Sequence, residues 1–125
     1  MTNSNIILEI TQDIYSIGGE FSNLTDQFLS MEVDKQTYDK QCYIIACKVK
    51  YLQGVVNVVK SKGYKFKRYE KEIELLNVLA DEISNCVDVK NINTITEEDM
   101  IDVSRLNNKY KKLVNLEDVT EEFKI

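Results

Sequence analysis

Residues 6–31 read IILEITQDIYSIGGEFSNLTDQFLSM. Within them Ile7, Ile10, Ile14, Ile17, Phe21, Leu24, Phe28 and Met31 step alternately by three and four. This is the heptad spacing of an amphipathic helix, whereas a half-buried strand would alternate by two. Gly18 and Gly19 interrupt the run; they weaken the helix or allow a close contact there.

The same spacing recurs down the chain. Tyr38, Cys42, Ile45, Val49, Leu52, Val56 and Val59 form a second seam. Ile44, Cys47, Tyr51, Val55 and Val58 lie beside it. A face that wide touches two neighbours, so this helix is expected at the centre of a bundle. It starts near Asp34 or Thr37, both good N-cap residues. It stops at Gly63, after Lys60-Ser61-Lys62.

A third seam, Phe66, Tyr69, Ile73, Leu76, Ala80, Ile83 and Val87, is widened by Leu75, Leu79 and Cys86. The phase holds across Gly63 and slips between Phe66 and Tyr69. That slip favours a turn over one continuous helix from 35 to 88. The fourth helix opens on Thr96-Glu97-Glu98-Asp99, which resembles a capping box with an acidic first turn. Ile95 and Met100 are spaced as a hydrophobic staple. Its seam is Met100, Val103, Leu106, Tyr110 and Leu113.

The reading is therefore all-α: four amphipathic helices in an antiparallel, up-down bundle, forming a single domain over 1–125. The helices are placed at 5–31, 35–62, 65–88 and 96–115, with an acidic tail at 116–125 that has room for one more helical turn.

Composition narrows the chemistry. The 125 residues include no Pro, His or Trp and only four Gly. So few turn formers argue against a sandwich or barrel of short strands. Without histidine, the commonest general base and metal ligand is missing. Cys42, Cys47 and Cys86 lack metal-ligand spacing and read as small buried hydrophobes of a reducing cytosol. No phosphate-cradling glycine motif occurs. Acidic residues at 70, 72, 74, 81, 82, 97, 98, 99 and 102 invite comparison with all-α Mg²⁺-dependent nucleotide hydrolases. They flank the apolar seams, however, where a catalytic carboxylate in a bundle should project inward. The expectation is no enzyme, no catalytic residues, no metal and no cofactor.

Charge is segregated. Residues 1–47 carry a net −5, residues 48–69 carry +7 with no acid, and residues 70–125 carry −7. In the basic block, Lys48 and Lys50 read as solvated heads on apolar stems, and Lys60 and Lys62 suit the end of a helix dipole. Lys65, Lys67 and Arg68 fall in the expected first turn of the third helix, where the dipole disfavours cations. One reading makes the block a solvated basic end that balances an acidic fold. The other makes Lys60, Lys62, Tyr64, Lys65, Lys67, Arg68 and Lys71 a binding surface for an anion or a partner.

The leading functional expectation is a small cytoplasmic binding protein that occupies a partner's surface by protein–protein contact. An AT-rich codon signature, with fourteen Lys to two Arg, makes a phage or mobile-element inhibitor or adaptor of host machinery a reasonable form. The alternative is a nucleic-acid-binding module using 48–71, with salt-dependent lysine contacts to phosphate, although a net charge of −5 argues against it. No run reaches the roughly 20 apolar residues of a membrane span, so no membrane partner is expected. The wide apolar faces leave a homodimer open.

Overall fold

The computed structural model describes residues 3–92 and 94–114. It is an all-α bundle with no strand among those residues. Three long helices, α1 (Asn3–Leu29), α2 (Lys35–Ser61) and α3 (Glu70–Cys86), pack on one another. Two 3₁₀ turns, Val89–Asn91 and Glu98–Met100, lead to α4 (Ile101–Lys109) and α5 (Lys111–Val114). The acidic tail at 116–125, and any helical turn in it, lies outside the described residues.

Every residue of the second seam is buried. As its wide apolar face predicts, α2 is central and touches α1, α3, α4 and α5. It is also the described helix whose length and composition would suffice to cross a membrane, with half of its most apolar window buried. In α1 the seam shifts at its ends. Ile6, not Ile7, takes the fully buried place, and Met31 lies beyond the helix at 92% exposure.

Both long helices before α3 end on the same hydrogen-bond pattern. After α2, the Tyr64 N–H donates to the Val59 carbonyl at 3.3 Å and the Gly63 N–H to the Lys60 carbonyl at 3.0 Å. This is a Schellman cap with Gly63 in the left-handed region at φ 95°. After α1, the Glu32 N–H donates to the Gln27 carbonyl and the Met31 N–H to the Phe28 carbonyl, with Met31 at φ 63°. The turn at Gly63 rules out a continuous helix through 35–88.

Two expected boundaries move. α3 starts at Glu70, not 65, with Glu70 and Glu72 in its first turn. Lys65, Lys67 and Arg68 therefore stand in the connection before the helix, and Lys71 is the one cation in its first turn, flanked by Glu70 and Glu72. Burial of Tyr64 and Phe66 holds this connection against the core in a non-helical path. The fourth helix is also broken. A 3₁₀ turn precedes it, and Tyr110 interrupts it between α4 and α5.

The capping box forms as read. The Asp99 N–H donates to Thr96 Oγ1 at 3.1 Å and the Thr96 N–H to an Asp99 carboxylate oxygen at 2.9 Å. The same carboxylate pairs with Lys40 on α2 at 2.8 Å. These two partners, Lys40 foremost, hold the Asp99 pKa down at about 2.

Asp39, in the second turn of α2, is fully buried. Its carboxylate accepts from Lys35 Nζ at 2.5 Å, the Asp88 N–H at 3.2 Å and Asn91 Nδ2 at 2.9 Å. Burial by itself raises a carboxylate pKa; the three donors outweigh it and leave Asp39 below its ordinary value. One side chain thus satisfies a buried charge and fixes the turn after α3. The cysteines are free thiols; burial pushes Cys42 up to about 11, which keeps it protonated and unreactive at neutral pH.

Candidate functional site, a mixed-charge cleft

The Schellman cap turns the chain so that Tyr64 follows α2 directly back into the core. Two residues later Phe66 is also buried. A turn from the Phe66 carbonyl to the Tyr69 N–H at 2.9 Å then starts α3. Glu70, Glu74 and Asn77 lie about one turn apart along α3, and Ile73 sits one turn before Asn77, so all four share one face of the helix.

Between the end of α2, the connection and α3 lies an open cleft of about 550 Å³, lined by Lys60, Tyr64, Lys65, Phe66, Lys67, Glu70, Ile73, Glu74 and Asn77. Its floor is apolar, because Tyr64, Phe66 and Ile73 are each at least nine-tenths buried. Lys60 Nζ sits 6.0 Å from the centre of the Phe66 ring, within cation–π range. Lys65 and Lys67 are exposed at the rim, as are Glu70 and Glu74. The Tyr64 hydroxyl is buried with no hydrogen-bond partner among the described residues. Burial raises its pKa, so it remains a proton donor. An unmade hydrogen bond on a buried hydroxyl costs about 1–3 kcal/mol.

Of the expected surface, Lys60, Tyr64, Lys65 and Lys67 line the cleft. Lys62, Arg68 and Lys71 do not; Lys62 caps α2 and is half-buried, while Arg68 and Lys71 are exposed. None of these six cations has a carboxylate within 4.0 Å among the described residues.

Lys48 leaves the basic block altogether. Its side chain is 7% exposed and pairs with Glu20 on α1 at 2.9 Å and with Asp102 on α4 at 3.8 Å. The solvated head read from its position beside Val49 is instead a tie between three helices. The sequence carried no local sign of this, because both partners are remote in the chain. Glu70, Ile73, Glu74 and Asn77 were also missed as cleft residues. The signal for them was the acidic Glu70-Lys71-Glu72 start, which marks where α3 begins and so which face looks back at the connection.

Elsewhere the carboxylates stay dispersed. Asp81, Glu82, Glu97, Glu98 and Asp102 are exposed. Among the described residues no three Asp, Glu or Cys side chains gather as metal ligands. The cleft therefore offers ammonium groups, carboxylates, one phenol and an apolar floor. These groups can hold a ligand by charge, by one hydrogen bond and by apolar contact. Compared with known proteins, the chain matches no family model, and no curated protein and no solved structure is significantly similar to it.

Proposed function

We propose that this chain is a non-catalytic binding protein whose partner is another polypeptide, held at the cleft between the end of α2 and the start of α3. The observation that carries this reading is the grouping of Lys60, Lys65 and Lys67, unpaired among the described residues, around an apolar floor and a partnerless Tyr64 hydroxyl. A large apolar side chain seated on that floor would contribute about 1.5–3 kcal/mol. Acidic neighbours on the partner would meet the lysines, which gives orientation and association rate more than raw affinity. Binding of this kind acts by occupation, as an inhibitor or adaptor does.

Nucleic acid suits the site less well. Glu70 and Glu74 share the cleft with the lysines, and carboxylates repel phosphate at that range. Arg68 and Lys71 are exposed outside it, so the cations do not converge on one phosphate track.

A photo-crosslinking amino acid at position 65, with one at Glu82 on the far half of α3 as control, tests the reading in whole-cell lysate. The expected result is a protease-sensitive adduct specific to position 65. Unlabelled chain should compete for it, and the Lys60→Glu, Lys67→Glu variant should not. A nuclease-sensitive adduct would instead support the nucleic-acid reading. Identical adducts from both positions would rule out the cleft.

A further inference from the structure

We propose that the chain's own segment 115–125 docks in this cleft and competes there with the partner, an inference that rests on reading the cleft as a binding surface. Three observations carry it.

The first is complementarity. The segment reads NLEDVTEEFKI, and its end presents Glu121 and Glu122, then Phe123, then Lys124. The cleft presents Lys60, Lys65 and Lys67, an apolar floor of Tyr64, Phe66 and Ile73, and then Glu70 and Glu74. Acid, aromatic and base on one side meet base, apolar floor and acid on the other. A Phe123 side chain seated on the floor would set its neighbouring carboxylates opposite the rim lysines.

The second is where the described chain leads. Lys40 pairs with Asp99, Lys48 with Asp102, and the Tyr51 hydroxyl donates to the Asn107 carbonyl. The arm of α4 therefore ascends alongside α2 in the same direction. Tyr110 and Leu113 are buried, and α5 packs on α2. Residue 114 thus approaches the end of the bundle that holds Lys60 and the cleft.

The third is reach. Residues 115–123 can extend to about 30 Å, and a helix with its side chains is about 10–12 Å across. A short tether holds a segment at an effective concentration of order millimolar, so even weak docking is populated.

Zero-length carbodiimide cross-linking of the dilute full chain, mapped by mass spectrometry, tests the docking. The expected products in the monomer fraction join Lys60, Lys65 or Lys67 to Glu121 or Glu122. Their yield should fall at least about threefold in Phe123→Ser and in Lys124→Gln, neither of which removes a partner of those products or adds a carboxylate. In Phe123→Ser, acylation of Lys65 and Lys67 should also speed up relative to exposed Lys50.

Cross-links that are absent, or no richer at these lysines than at Lys50, overturn the proposal. Cross-links confined to covalent dimers overturn it in favour of a second copy as occupant. If position 65 still captures a partner while the internal cross-links are missing, the docking alone fails and the binding surface stands. Internal cross-links without any captured partner leave the docking and remove the partner reading.

Discussion

The two ends of α2 carry the same residue type and use it oppositely. Along the first half, Lys35, Lys40 and Lys48 each hold a carboxylate: Asp39, Asp99 and Glu20. At the far end Lys60, Lys62, Lys65 and Lys67 hold none among the described residues. The first set ties α2 to the turn after α3, to the capping box and to α1. Of the second set, Lys60, Lys65 and Lys67 line an open cleft. What the fold brings to a lysine differs between the two ends: the first set meets carboxylates, and the second meets none among the described residues.

Breaking the paired end should have the largest effect. Asp39→Ala removes hydrogen bonds to a buried charge and releases the turn at Val89–Asn91, so it should cost about 2–3 kcal/mol in urea unfolding. The same site sets a pH dependence. Asp39 and Asp99 both lie below the ordinary carboxylate pKa in the folded state. Their contribution is therefore complete above that ordinary value. It is lost as pH falls through the folded values, about 2 for Asp99. Urea midpoints of the parent should decline from pH 5 towards pH 2, and Asp39→Asn should flatten part of that slope.

Next comes the cap that shapes the unpaired end. Gly63 at φ 95° has no unstrained replacement with a side chain, so Gly63→Ala should destabilise by about 1–2 kcal/mol. It should also weaken capture at position 65, because Tyr64 follows directly. The matching cap after α1 gives the converse test. Met31 occupies the left-handed position while almost wholly exposed, so Met31→Gly should raise stability by about 0.5–1 kcal/mol, read by thermal unfolding. Smallest of all, Lys65→Ala with Lys67→Ala should stay within about 0.5 kcal/mol of the parent. A larger loss would mean that these lysines serve the fold and would erase the contrast between the two ends.

The apolar spacing made most of the bundle legible. The seams of α2 and most of α1 are the observed core, and Gly63 and Thr96–Asp99 mark real helix ends. The start of α3 was misplaced because Phe66 is spaced like a helical core residue, yet it reaches the core from a loop. The phase slip from Phe66 to Tyr69 and the acids at 70 and 72 held the correct answer. Ties such as Lys48 to Glu20 and Asp39 to Asn91 were invisible. They join residues 28 and 52 positions apart, and no local pattern encodes such a meeting. The cleft was half legible, with its basic rim evident in the charge block and its α3 wall dependent on the packing angle of two helices.

The arm formed by α4 and α5 is fastened unlike the rest. Among its described side chains it buries Val103, Tyr110 and Leu113 in the bundle. It is otherwise strapped by Lys40–Asp99, Lys48–Asp102, Lys109–Asp13 and the Tyr110 hydroxyl donating to Asp13 at 2.5 Å. Apolar burial does not weaken with ionic strength, while partly exposed ion pairs do. The molecule thus has two grades of cohesion, an oily trunk and an ionic strap, and the strap is the part that the salt of its surroundings can loosen while the trunk stays folded.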